Sequence, residues 1–256
     1  MAEISVLIAA AGAGTRAGLP YPKTLHPVRG EPILTRLMET LRAIDPRPTV
    51  IVSPAGREAV AAALAERGLH ADLVEQPKPS GMGDAILCFR DAPAAAQAEH
   101  LLVVWGDIPL LQPETVEAVC RAHLEGGNDF TFATRHVEEA YTVVARGPDG
   151  EVTSLTETRE AGLQPSPGER DIGLFVLRVE PVLSVLAERL PGAFGRSTGE
   201  HGFLYLVRHL AERGLRVEAL PVATELDLVS LNRLSDLEGL TNLLPAGAQR
   251  LFDQSK

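Results

Sequence analysis

Ile4-Ser5-Val6-Leu7-Ile8-Ala9-Ala10-Ala11-Gly12-Ala13-Gly14-Thr15-Arg16 opens the chain with a short apolar run that breaks into a glycine-rich loop ending in arginine. An apolar run of this length, closed by small residues, reads as a buried strand delivering a backbone-lined anion cradle. Three similar runs follow at 49–52, 71–74 and 101–105, separated by amphipathic stretches at 33–43, 57–67, 84–89 and 113–124. Pro113 suits the first turn of the last of these helices. Strands alternating with helices imply a largely parallel sheet covered on both faces, a doubly wound α/β core. After Gly127 the pattern changes to closely spaced strands at 130–134, 142–145, 152–155 and 173–178. Pro148-Asp149-Gly150 marks a turn between two of them. These read as a β extension of the sheet, followed by helices at 182–190 and 202–213, a strand at 215–220 and a closing helix after Asn232. Residues 162–169 read as a mobile loop. The expected fold is three-layered and Rossmann-like, with a mixed, mostly parallel sheet. One domain spans 1–256, in two parts, 1–127 and 128–256, the second holding the β extension and the closing helix.

The bulk composition narrows the function. A net charge of −10 without a basic run argues against a nucleic-acid partner, and 4% aromatic content leaves few platforms for stacked bases. The first apolar run has no basic segment before it and ends in glycines, so it is neither signal peptide nor membrane span; a cytoplasmic protein with no membrane partner is expected. Cys88 and Cys120 lie singly in apolar stretches and read as core. No histidine grouping suggests a metal site. The sequence is silent on oligomeric state.

In open α/β sheets ligands bind beyond the carboxyl ends of the strands. The first such position is the loop of Ala10, Ala11, Gly12, Gly14 and Thr15. A dinucleotide fingerprint would need a helix to start at once, which Pro20 and Pro22 disfavour; the Walker spacing is absent. What distinguishes the loop is its cations. Residues 1–30 contain Arg16, Lys23 and Arg29 against Glu3, a local +2 on an acidic chain. That pocket calls for an anionic ligand such as a phosphate chain.

The stretch Leu7 to Arg16, followed by Leu19-Pro20-Tyr21-Pro22-Lys23-Thr24-Leu25-His26, resembles the sugar-nucleotide pyrophosphorylase family. Within that family the chain is most similar to the uridylyltransferase domain of bacterial N-acetylglucosamine-1-phosphate uridylyltransferase. Further segments fall in the family's order. Gln76 and Gly81-Met82-Gly83-Asp84-Ala85 resemble the base-binding loop, and Trp105-Gly106-Asp107-Ile108-Pro109-Leu110 resembles the stretch that supplies a magnesium ligand. Tyr141, Glu157, Asp171 with Gly173, and Gly199-Glu200 fall at sugar-side segments, and Leu231-Asn232 resembles the stretch bearing a second metal contact.

The resemblance implies an Mg²⁺-dependent enzyme that transfers a nucleotidyl group from an NTP, UTP favoured, to a sugar 1-phosphate, N-acetylglucosamine 1-phosphate favoured, releasing pyrophosphate. Arg16 and Lys23 would be catalytic. Ala10, Ala11, Gly12, Gly14, Thr15, Gln76, Gly81 and Met82 would bind nucleotide, and Gly106, Tyr141, Glu157 and Asp171 the sugar. Asp107 and Asn232 would hold the metal, with Asp227 as an alternative to Asn232. Each has an ordinary counterpart: Asp107 as an Asx turn before Pro109, Asn232 as a helix N-cap. Met82, Asp84, Asp171 and Ala140-Tyr141-Thr142 depart from the family's wording, all on the base or sugar side. They keep open a guanylyl or cytidylyl transferase of the same fold, such as one acting on the molybdenum cofactor, and a nucleotide-sensing module without turnover. No acetyltransferase β-helix follows in the sequence, so the uridylyl half alone is implied.

Overall fold

A computed structural model of the chain describes residues 4–12 and 18–231. Seven strands form one sheet in the order β11-β7-β10-β6-β1-β4-β5. They are β1 (Ile4–Ala9), β4 (Thr49–Val52), β5 (Asp72–Glu75), β6 (His100–Trp105), β7 (Phe130–Ala140), β10 (Ser166–Arg178) and β11 (Val217–Leu220). Neighbours pair in parallel except β10, which runs antiparallel to both β6 and β7. Two hairpins stand apart from it: β2 (Pro27–Val28) with β3 (Glu31–Pro32), and β8 (Thr142–Arg146) with β9 (Val152–Glu157). The fold is therefore the mixed, mostly parallel Rossmann-like sheet the sequence implies.

Alternation along the strands explains the three layers, because successive side chains leave a strand on opposite faces. Val6, Ile8, Val50, Val52, Leu102 and Val104 pack on one face. They meet α1 (Ile33–Leu41), α2 (Arg57–Glu66) and α4 (Pro113–Gly126). Leu7, Ile51, Leu101 and Val103 face the other way, toward α3 (Met82–Leu87), α6 (Val179–Ala187) and α7 (Leu206–Glu212). Burial on both faces is why these strands read as unbroken apolar runs. Pro113 does begin α4, and Gly127, at φ 58°, ends it in the left-handed region.

The second half of the expected loop over 162–169 is strand. After the short α5 (Thr158–Ala161), β10 begins at Ser166, and Ser166 to Arg170 pairs with Ala140 back to Arg135. Pro165 and Pro167 gave the stretch its turn-like appearance. Pro167 falls where the register shifts between Ser166 and Gly168, a position where the missing N–H is tolerated. The helix expected from 202 starts at Leu206, and the closing helix lies outside the described residues.

Candidate active site

The carboxyl ends of β1, β5 and β6 open onto a cleft of about 1050 Å³. Ala11, Gly12, Lys23, Gln76, Gly81, Met82, Asp107 and Glu157 all line it, so residues from four separate segments meet in one place. Ala10 lies just beneath, buried, with its N–H donating to Ile51 O at 2.9 Å. Gly14, Thr15, Arg16 and Asn232 lie outside the described residues.

Lys23 reaches the cleft from a single 3₁₀ turn, Lys23–Leu25, that follows Pro22; its N–H donates to Gly12 O at 3.4 Å. Its Nζ meets Asp107 Oδ2 at 2.5 Å. The other carboxylate oxygen, Oδ1, is buried and has no hydrogen-bond partner among the described residues. Burying an acceptor without a donor is costly. An oxygen-seeking cation completed by ligand phosphates would satisfy it, and such cations need few protein ligands. Among the described residues no three His, Cys, Asp or Glu side chains come close enough to hold a metal by themselves.

Asp227 is not positioned as an alternative ligand. It is buried, and its oxygens accept from Gln112 N at 2.7 Å, Thr115 Oγ1 at 2.9 Å, Thr224 N at 2.7 Å and Thr224 Oγ1 at 2.8 Å. Four donors fill the carboxylate's acceptor sites, making it a clamp between the start of α4 and the segment after β11.

Gly106 has a packing task at the strand ends. A Cβ there would lie 2.8 Å from Ala9 O and 3.2 Å from Ala10 Cα, and its N–H donates to Ala9 O at 3.0 Å. Only glycine lets the ends of β1 and β6 approach closely enough to set Asp107 beside the N-terminal loop. Gly81, at φ 109°, is similarly constrained, since a Cβ would collide with the backbone of His201. Gln76 steadies this turn by donating Nε2 to Gly81 O at 2.9 Å, which turns its Oε1 away as an acceptor.

Tyr141 and Asp171 sit behind the lining. Asp171 is wholly buried and accepts from Thr142 Oγ1 at 2.6 Å and Gly173 N at 2.9 Å; burial raises its pKa despite those bonds. Burial likewise pushes the Tyr141 phenol up to about 12, so it remains a hydroxyl. Glu157 lines the cleft and pairs with Arg159 at 3.2 Å.

Sequence reasoning passed over His201. It is fully buried at the cleft wall, with Nδ1 2.8 Å from Asp84 Oδ1 and Nε2 3.2 Å from the Tyr205 hydroxyl. Arg189 Nη2 joins the same Asp84 oxygen at 2.9 Å. Burial alone would raise the Asp84 pKa, but hydrogen bonds from His201 and Ser80 and the charge of Arg189 hold it below the usual carboxylate range. The cluster ties the turn at 81–84 to residues 200–205. Asp84 itself, a departure from the family's wording, was the available signal.

A sheet of this order, with a glycine-rich loop, a lysine and an unsatisfied carboxylate at adjoining strand ends, defines a nucleotide-handling α/β protein. The chain belongs to the MobA-like NTP transferase domain family, whose pattern matches residues 6–214. The bifunctional protein GlmU of Alkalilimnicola ehrlichii is 31% identical over 235 residues, covering 90% of this chain and 48% of that protein. GlmU of Oleidesulfovibrio alaskensis is 30% identical over 243 residues, with 93% and 52% covered. The chain spans about half the length of the curated relatives it matches. A Bacillus anthracis structure titled as a glucose-1-phosphate thymidylyltransferase in complex with sucrose shares the fold, with a TM-score of 0.74 at 16% identity over 94% of each chain. No helix among the described residues is long and apolar enough to cross a membrane.

Proposed function

We propose that this NTP transferase joins an NTP, UTP first among candidates, to a sugar 1-phosphate such as N-acetylglucosamine 1-phosphate, with release of pyrophosphate. The observation that carries the reading is the meeting of Lys23 and Asp107 at 2.5 Å at the strand ends, in the same cleft as Gln76 and Glu157. Residues 1–127 would carry the NTP and 128–256 the acceptor.

The chemistry asks little acid–base work of the protein. An acceptor phosphate oxygen, already anionic, attacks the α-phosphorus in line; the new P–O bond forms as the bond to the β-phosphate breaks, and pyrophosphate leaves with the electron pair. Positioning and charge neutralisation then lower the barrier. Lys23 would hold the departing phosphates, and Arg16 would do so from the adjoining loop. Asp107 Oδ1, with Asn232 as the resemblance implies, would hold Mg²⁺; when bound, Mg²⁺ neutralises phosphate charge. Gln76 Oε1 is an acceptor suited to the imide N–H of uracil. Cytosine and adenine present acceptors at their corresponding ring positions, whereas guanine presents a donor, so guanylyl transfer is the competing reading and GTP belongs in the same assay.

Pyrophosphate release would be measured with Mg²⁺ across four NTPs and a panel of sugar 1-phosphates. Release confined to one NTP and one phosphosugar, and lost in Asp107→Ala, is expected. NTP binding without release for any pair would sink the transferase reading in favour of a nucleotide sensor.

A further inference from the structure

Arg170 lies in the middle of β10 and is only 9% exposed, yet it makes no ion pair among the described residues. Its Nε donates to the Asp171 carbonyl at 3.2 Å and its Nη2 to the Tyr141 hydroxyl at 2.8 Å, while the guanidinium carbon stands 4.0 Å from the centre of the Tyr141 ring. All three partners are neutral. The acids on either side are engaged elsewhere. Glu169 takes a bidentate contact from Arg146 at 2.8 and 2.9 Å and a third bond from Thr134. The two carboxylate oxygens of Asp171 accept from Thr142 and Gly173. Asp171 lies close enough for its charge to act on Arg170, but neither of its oxygens bonds the guanidinium, and a buried cation without a directly bonded anion keeps a large desolvation cost unless one joins it.

The surroundings indicate which anion. The Tyr141 carbonyl accepts from the Thr158 N–H at 2.8 Å, one residue beyond cleft-lining Glu157. The Tyr141 hydroxyl meets Ser230, and the next residue, Leu231, donates its N–H to the Asp107 carbonyl at 2.9 Å. Tyr141 therefore spans from the Glu157 wall to the Asp107 turn, and Arg170 lies against it. Lys23 answers the charge of Asp107, so the positive charge of Arg170 is left over on this side of the site.

We propose that Arg170 and the Tyr141 hydroxyl form an anion site that receives the phosphate monoester of the acceptor. The inference takes from the transferase reading only the identity of that anion. A guanidinium offers a phosphate planar, paired donors, and here its orientation is already fixed by the ring and the Asp171 carbonyl. The Tyr141 hydroxyl, which accepts from Arg170 and also meets Ser230, places a second polar group at the same point.

The test is equilibrium binding, without turnover, of glucose 1-phosphate, glucose and UTP in EDTA to the parent chain and to Arg170→Gln, Arg170→Lys and Tyr141→Phe. The parent is expected to bind glucose 1-phosphate and not glucose. Arg170→Gln should weaken glucose 1-phosphate by about tenfold or more, the loss of a charge-assisted contact. Arg170→Lys should recover part of it, and UTP affinity should stay within about twofold. Glucose 1-phosphate binding by Arg170→Gln equal to the parent's would overturn the site while leaving the transferase reading intact. Equal losses for glucose 1-phosphate and UTP would overturn it too, by marking Arg170 as structural. Should Arg170→Gln fail to fold, unchanged glucose 1-phosphate binding in Tyr141→Phe would be the overturning result. A parent chain that binds the phosphosugar but releases no pyrophosphate would remove the transferase reading and leave the anion site.

Discussion

Replacing His123 should flatten the acid limb of the stability curve. His123 lies in the last turn of α4, fully buried, with Nε2 3.0 Å from His100 Nδ1 and Nδ1 3.0 Å from Thr131 Oγ1. Burial first, then His100 and Arg178, bring its pKa from 6.5 down to about 4, against an opposing pull from Asp129. The folded value lies below the unfolded one, so the unfolded chain takes up the proton first. The stability linked to this ring is complete above about pH 6.5 and lost as pH falls toward 4. At about 1.36 kcal/mol per pH unit, the loss is about 2 kcal/mol at pH 5 and about 3 kcal/mol once the folded ring also titrates. His123→Gln keeps a polar group at the site and cannot titrate. Urea denaturation followed by circular dichroism at pH 7.5 and 5.0 compares the two chains. Between these pH values His123→Gln should lose about 2 kcal/mol less than the parent. Parallel pH profiles would refute the reasoning, since some other group would then carry the acid sensitivity.

Three further substitutions probe the scaffold of the site. Gly106→Ala forces a Cβ to 2.8 Å from Ala9 O, so the ends of β1 and β6 must part. A loss of about 1–3 kcal/mol in urea denaturation is expected, with weaker UTP binding by titration. Asp227→Ala leaves four donors without their acceptor and should cost about 3 kcal/mol or more, while the Mg²⁺ dependence of remaining activity stays unchanged; a shifted Mg²⁺ requirement would instead make Asp227 a ligand. Asp84→Asn removes the charge that holds His201 and Arg189. It should raise the KM for NTP by about three- to tenfold with little change in kcat, as read from pyrophosphate release.

The parts of the fold that could be read in the sequence are those whose burial leaves a local pattern. β1, β4 and β6 are covered on both faces, so each is an apolar run, and α4 carries Pro113 at its start and Gly127 past its end. The start of β10 was hidden because Ser166, Pro167 and Gly168 form turn-like text, and the pairing with β7 that makes them strand is non-local. At the site, the glycine loop and Asp107 were legible because they follow apolar runs directly, and Lys23 because it is a cation in the loop region of an acidic chain. The Asp84–His201 contact joins residues 117 apart, beyond any local pattern. The shortage of space at Gly106 is visible only once β1 lies beside β6. Arg170, between Glu169 and Asp171, looks like part of a solvated charged stretch until the structure shows both acids engaged and the arginine buried.

The central claim is that an acceptor phosphate oxygen displaces pyrophosphate from the NTP. It is tested most directly by giving the protein and Mg²⁺ a reactive NTP together with its sugar 1-phosphate labelled with ¹⁸O in the phosphate, then reading both products by mass spectrometry. All of the label should appear in the nucleotide-sugar and none in the pyrophosphate. Label in pyrophosphate, or free nucleoside monophosphate with no nucleotide-sugar, would contradict it.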